Sequence, residues 1–234
     1  MLRFSDFDTR GYRTVDVRSG YDDWAATYEG IVQDEMDIAL LEQLTTPEWS
    51  SVRAAADLGC GTGRTGAWLR SRGVQVIDGV DIAPGMLRQA AEKNVYRRLE
   101  ESGLSPTPLE SAAYDLVIAC LIDEHIEDVG VLYRDAARLS KSAGLLVVVG
   151  YHPYFIMTSG MPTHYDTAFG EPVAIETHLH LLSDHVSAAG DNGWRLCEMR
   201  ERLIDDKWVT LKPKWERFRN CPISFATVWE RRAA

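Results

Sequence analysis

Apolar side chains recur three and four residues apart from Tyr21, Trp24, Ala25 and Tyr28 to Ile31, Met36, Ile38, Leu40, Leu41 and Leu44, which predicts one or two helices over 21–44. Thr46-Pro47 ends that pattern, and residues 52–58 read as a short buried strand that stops at a cluster of glycines. Ala67, Trp68 and Leu69 continue as a helix, 74–82 alternates as a strand, and Pro84 opens a helix through Met86, Leu87 and Ala90. Strands follow at 95–99 and 114–121, then a helix over 129–140. The unbroken apolar run 145–149 is the signature of a strand covered on both faces. Beyond Gly150 a Pro/Gly/His-containing segment runs to 172, followed by a strand pattern over 173–182, a helix near 183–189 and late strands near 195–204 and 224–229.

Alternating strands and helices predict an α/β fold: a doubly wound, mostly parallel seven-stranded sheet with a C-terminal antiparallel strand pair. The expected layout is one domain over 1–234. It comprises an N-terminal helical cover (1–48), a cofactor-binding core (49–150), a substrate lid after the fifth strand (151–182), and a C-terminal helix and strands (183–234).

The composition narrows the function. With 234 residues, 45% hydrophobic and 26% charged, the chain has the mixture of an ordinary globular protein. A formal charge of -10 argues against a nucleic-acid partner, which needs a basic face. Cys60, Cys120, Cys197 and Cys221 show no metal-ligand spacing, and no apolar run reaches membrane-spanning length, so no membrane partner and a cytoplasmic location are expected.

The candidate chemistry centres on Asp57-Leu58-Gly59-Cys60-Gly61-Thr62-Gly63, between a strand and a helix. Glycines there turn the backbone sharply and admit a ligand close to the main chain. Asp81, about 20 residues on at the end of the next strand, stands where a carboxylate accepts hydrogen bonds from ribose hydroxyls. The string Gly61-Thr62-Gly63-Arg64-Thr65-Gly66 also fits a nicotinamide dinucleotide site. The expected discriminator is Asp57, which repels a pyrophosphate and attracts a sulfonium.

At these residues the chain resembles the class I S-adenosylmethionine-dependent methyltransferases of the bacterial small-molecule type. Val80-Asp81-Ile82-Ala83-Pro84-Gly85-Met86-Leu87 is similar to the family's second motif, and Tyr114-Asp115-Leu116-Val117-Ile118 to its fourth strand. The resemblance implies that Asp57, Gly59, Cys60, Gly61, Thr62 and Gly63 face the methionine part, Asp81 the ribose, and Ile82 and Met86 the adenine or ribose. Cys120 and Leu121 would lie along the methionine part. An acid past the third strand usually binds the adenine amino group; here Ser102-Gly103-Leu104 takes that place, so Glu100, Glu101, or Ser102 with the main chain does the job. An N-terminal helix often covers the cofactor in this family, which makes Tyr21 and Tyr28 candidates for contact with it.

Methyl transfer from a sulfonium is an in-line displacement whose leaving thioether needs no proton, so a base is optional. Where one is needed, His125 and His152, just after the fourth and fifth strands, are the candidates. His178 and His180 share one face of the presumed strand with Glu176. Their spacing matches no metal motif, and no metal is expected. Tyr151, His152, Tyr154, His164 and His178 are the candidate acceptor contacts, and the aromatic lid residues, with Tyr165 and Phe169, favour an aromatic acceptor.

The expected function is methylation of an oxygen or nitrogen on a small, possibly aromatic, metabolite, with S-adenosylhomocysteine as product and a monomer or homodimer as the assembly. The alternatives are an NAD(P)-dependent oxidoreductase and a non-catalytic cofactor-binding protein.

Overall fold

The computed structural model describes residues 2–31, 35–104 and 106–232, so residues 32–34 of the predicted N-terminal helix lie outside the described residues. After a 3-10 turn at Phe4–Asp6 come strand β1 (Arg13–Val15) and helix α1 (Val17–Trp24), which starts earlier than the hydrophobic spacing predicts because Asp16 caps it, accepting from the Ser19 amide at 3.0 Å. Two single-turn helices follow, α2 (Tyr28–Ile31) and α3 (Ile38–Leu41).

The core then alternates β2 (Ala54–Leu58), α4 (Arg64–Ser71), β3 (Val76–Asp81), α5 (Pro84–Glu92), β4 (Arg98–Glu101), β5 (Tyr114–Cys120), α6 (Gly130–Leu139) and β6 (Ser140–Tyr151). After it come α7 (Pro153–Ser159), β7 (His164–Asp166), β8 (Pro172–Ile175), α8 (Leu182–Asp191), β9 (Trp194–Leu203), α9 (Asp206–Leu211) and β10 (Pro222–Arg231). The large sheet has seven strands in the order β4-β3-β2-β5-β6-β10-β9. Strands β4 to β6 run parallel, and β10 pairs antiparallel with both β6 and β9. The predicted doubly wound, mostly parallel sheet is therefore the fold observed.

Burial on both faces follows the two-residue period of the strands. Leu116 and Ile118 of β5, with Val147 and Val149 of β6, pack toward Leu41, Leu69 and Trp208. The residues between them, Val117, Ala119, Leu146 and Val148, pack toward Leu132, Tyr133 and Ala136 of α6. Strand order reverses beside β2, whose neighbours are β3 and β5, and in open sheets the crevice beyond the carboxyl ends at such a point is where ligands bind.

The N-terminal segment and the lid are not separate covers. Strand β1 pairs parallel with β8, and β8 antiparallel with β7, giving a second, three-stranded sheet that joins the two. Helix α1 seats on it through Trp24, packed with Tyr165, Val173 and Ile175. Neither β1 nor β7 is visible in the hydrophobic pattern, because each is three residues long and gains its partners only in the folded chain.

Two segments differ from the sequence reading. Strand β4 lies at Arg98–Glu101 rather than 95–99, since the pairing of Asp78–Asp81 with 98–101 fixes its register and Tyr96 turns inward instead. The strand expected over 173–182 ends at Ile175, and residues 176–181 form an irregular connection held by hydrogen bonds from the His178 amide to the Glu124 carbonyl and from His180 to the Ile126 carbonyl. The shared strand face proposed for Glu176, His178 and His180 does not form.

Candidate active site

The turn from β2 into α4 is built for close approach. Gly59 and Gly61 adopt left-handed φ of 65° and 52°, and a Cβ on Gly59 would stand 2.5 Å from Ile122, whereas one on Gly61 would meet nothing within 4 Å. The loop therefore presses on the segment after β5 at one glycine and faces open space at the other. Asp81, at the tip of β3, braces it: its carboxylate accepts from the Gly61 amide and the Ala83 amide, both at 2.8 Å. Burial raises the Asp81 pKa above the usual carboxylate value, and these amides act in the opposite direction.

That open space is a cavity of about 300 Å³. Its floor is Gly59, Gly61, Asp81, Ile82 and Met86; Ser102, Gly103 and Leu104 close one end, and Cys120, Leu121 and Ile122 run along the side. Tyr21 and Tyr28 roof it together with Val17, and His125, Ile126 and Val131 complete the wall. Leu121 holds a left-handed φ of 57°, a conformation that costs a non-glycine residue about 1 kcal/mol, and its amide donates to the Val149 carbonyl at 2.7 Å.

Of the residues singled out in the sequence, Gly59, Gly61, Asp81, Ile82, Met86, Ser102, Leu104, Cys120, Leu121, Tyr21, Tyr28 and His125 converge on this cavity. Asp57, Cys60, Thr62 and Gly63 do not line it. Alternation along β2 turns Asp57 to the face covered by α4, where it is buried and accepts from the Tyr96 hydroxyl at 2.7 Å. Burial there lifts its pKa to about 7, against the opposing pull of Tyr96. Asp57 is thus a pin beneath the loop rather than a charge exposed to a sulfonium, which corrects the electrostatic discrimination expected of it. Cys60 packs toward Gly79 under the same loop. Ser102 donates its amide to the Asp81 carbonyl, whereas Glu100 and Glu101 are engaged by Arg98 and Arg18; Ser102 and the neighbouring main chain are what the cavity presents at that end.

His125 sits in a 3-10 turn after β5 with its side chain 4% exposed. Its Nδ1 lies 2.7 Å from the Glu176 carbonyl and its Nε2 2.8 Å from the Tyr21 hydroxyl. Since a carbonyl only accepts, Nδ1 carries the proton and Nε2 receives that of Tyr21. Burial lowers the His125 pKa to about 4, so the ring is neutral near pH 7.

A second cavity encloses about 140 Å³. Trp24, Tyr151, Phe155 and Trp215 give it aromatic walls; Glu124, Thr163, His164 and Thr177 give it polar ones, and Lys212 and Lys214 also line it. Glu124 and His125 are consecutive, and each faces one cavity; Tyr21 and Trp24 divide in the same way along α1.

Of the candidate acceptor contacts, Tyr151 and His164 line the second cavity, whereas His152, Tyr154 and His178 line neither. His152 caps α7 by accepting from the Tyr154 amide at 3.1 Å and meets Glu201 at 2.9 Å, a structural role that removes it as a candidate base. Tyr154 is 46% exposed on the outer side of α7. Glu124 and Tyr96 carried no sequence signal of their own: the first reads as a surface acid beside His125, and the second as part of a strand.

A glycine turn braced by a neighbouring strand-end aspartate, at the switch point of a doubly wound sheet and roofed by aromatic side chains, defines a class I nucleotide-cofactor domain. Residues 56–148 match the family described as Methyltransferase domain. Methyltransferase-like protein 27 of Homo sapiens is 33% identical over 117 residues, which cover 45% of this chain and 47% of that protein.

Among solved structures, the putative methyltransferase bound to the Trm112 methyltransferase activator in Haloferax volcanii superposes with a TM-score of 0.72 at 19% identity, covering 94% of this chain and 99% of that one. The magnesium protoporphyrin IX methyltransferase of Synechocystis PCC 6803, solved with bound SAH, gives 0.61 at 17% identity, covering 91% and 94%. The chain spans between 34% and 50% of the length of the curated relatives it matches. Residues 56–148 are thus similar to a methyltransferase domain, and the chain has the fold of S-adenosylmethionine-dependent methyltransferases.

The residues present fit S-adenosylmethionine. The first cavity offers apolar walls for a flat heterocycle (Ile82, Leu104, Ile126, Val131), one buried carboxylate, and an open glycine backbone beside aromatic rings. Among the described residues, no helix is long and apolar enough to cross a membrane.

Proposed function

We propose that this chain transfers the methyl group of S-adenosylmethionine to an oxygen or nitrogen of a small acceptor by in-line displacement, acting in the cytoplasm as a monomer or homodimer. The single observation that carries this reading is the pairing of two cavities divided by consecutive residues, Glu124 and His125, one suited to the donor and the other to the acceptor.

When bound, S-adenosylmethionine supplies an electrophilic methyl on a sulfonium. Gly59 and Gly61 hold its methionine part against the backbone, with Cys120 and Leu121 alongside. Asp81 accepts from the ribose hydroxyls, Ile82 and Met86 pack on the adenosine, and Ser102 and Leu104 meet the adenine edge. Tyr21 and Tyr28 close over the donor and exclude water, and burial holds both phenols protonated. His125 positions Tyr21 by receiving its proton, so the phenol of the first cavity is held in one orientation. Tyr151 and His164 line the acceptor side. Holding the acceptor within roughly 3–3.5 Å of the methyl, in line with the leaving sulfur, supplies most of the acceleration.

Calorimetry with S-adenosylmethionine and with NAD tests the reading. Micromolar binding of the first, none of the second, and release of S-adenosylhomocysteine with an acceptor are expected. Retention of NAD alone overturns it.

A further inference from the structure

The second cavity holds a carboxyl group that the donor site does not use. Glu124 is 2% exposed and lines this cavity, its Oε1 within 3.3 Å of the Thr163 hydroxyl. Asp123, next to it and 4% exposed, is pressed against the backbone of β6 where Gly150 lacks a side chain: a Cβ there would stand 2.3 Å from Asp123 Oδ1. Neither Oδ1 of Asp123 nor Oε2 of Glu124 meets a donor. Burial, and then the neighbouring Asp123, raise the Glu124 pKa well above the usual carboxylate value, the direction that makes a carboxyl a stronger proton acceptor near neutral pH.

Behind Asp123, His185 Nε2 lies 3.4 Å away, and the Tyr133 hydroxyl meets His185 Nδ1 at 3.0 Å. Glu124 is the member of the pair that lines the cavity.

We propose that Glu124 is the hydrogen-bond anchor and proton acceptor for the amine of a small amino-acid-like acceptor whose carboxylate faces Lys214 and Lys212. This rests on the methyl-transfer reading above and selects nitrogen over oxygen within it. Three features fit that class. The buried Glu124 carboxyl is matched by the N–H donors of an amine, and Trp24, Tyr151, Phe155 and Trp215 give the rest of the wall a largely aromatic surface. The cavity's 140 Å³ falls below the usual range for drug-sized ligands, so the acceptor is small. Lys214 is exposed and Lys212 half-buried over the Trp208 and Trp215 rings, whereas Glu124 is buried, so Lys214 marks the solvent side of the cavity and Glu124 its inner end.

In the step, the ammonium N–H bond breaks and its proton passes to Glu124. The freed lone pair forms the N–C bond to the methyl as the C–S bond breaks, and the bonding pair stays on sulfur as the neutral thioether. The methylated nitrogen leaves as a secondary ammonium, so charge and atoms balance.

The test uses the full chain, S-adenosylmethionine carrying a deuterated methyl, and a panel of glycine, alanine, β-alanine, their amides, the matching hydroxy acids and simple phenols, read by mass spectrometry. Deuteromethyl is expected on the nitrogen of the amino acids and on neither the hydroxy acids nor the phenols. The Glu124→Gln variant is expected to lose roughly 100-fold or more in kcat, the scale of a general base, while donor affinity by calorimetry stays within about twofold. Glu124→Asp recovers part of the rate, and Lys214→Glu raises KM for the amino acids but not for their amides.

Donor binding with label on oxygen only, label on no member of the panel, or Glu124→Gln turnover within about threefold of the parent overturns the inference and leaves methyl transfer standing. Absence of donor binding overturns the methyl-transfer reading itself.

Discussion

The Tyr21 hydroxyl and His125 Nε2 stand 2.8 Å apart, joining the roof helix α1 to the turn after β5 across 104 residues of sequence. The contact locks a neutral imidazole between a phenol and the Glu176 carbonyl, and so ties the N-terminal segment, the core and the connection after the lid to one point.

The His125 pKa of about 4 lies below its ordinary value of 6.5, so the neutral ring stabilises the fold fully above pH 6.5 and that contribution is lost as pH falls toward 4. Urea unfolding of the parent and of His125→Gln at pH 7, 5.5 and 4.5 should show the parent losing more stability across that window. Equal pH slopes would contradict the assignment.

Asp57 carries the opposite sign. Its pKa of about 7 exceeds the ordinary 3.8, so the unfolded chain gives up this proton first and the fold loses stability as pH rises from about 4 to 7. Asp57→Asn keeps an oxygen for the Tyr96 hydroxyl and removes the charge. It is expected to gain stability over the parent between pH 5 and pH 8, measured by chemical unfolding; a pH-independent difference counts against this.

Gly59 is the loop position least tolerant of a side chain, since alanine there combines a left-handed φ with a 2.5 Å approach to Ile122. Gly59→Ala should weaken donor binding roughly tenfold or more, equivalent to about 1.4 kcal/mol, with a melting temperature within a few degrees of the parent. Calorimetry beside a thermal melt separates the two effects.

Gly20 in α1 faces Ile175 of β8 with room for no Cβ, which would stand 2.7 Å from Ile175 Cγ1. Gly20→Val should lift the roof helix from the small sheet. Limited proteolysis should then cut near residues 10–30 while the 54–151 core persists, and donor affinity should fall. A digestion pattern like the parent's would mean the helix tolerates the change.

The sequence by itself determined most of the parallel core, because β2, β3, β5 and β6 carry unbroken or alternating apolar runs and α5 begins at Pro84, whereas β4, Arg-Leu-Glu-Glu, took its register from β3. It also marked the glycine turn and Asp81, since a sharp turn and a strand-end acid are encoded within about 25 consecutive residues.

What only the tertiary structure decided depends on contacts between distant segments. Asp57 turned out to face Tyr96 rather than the donor because strand alternation and helix packing set its direction. His152 met Glu201 and His125 met Tyr21, partners 49 and 104 positions away. The second cavity draws Trp24, Glu124, Tyr151 and Trp215 from four separate segments, and the three-stranded sheet joins residues 13–15 to 164–175. Local pattern encodes burial and turning, whereas the partner a polar side chain meets is set by which elements the hydrophobic core brings together.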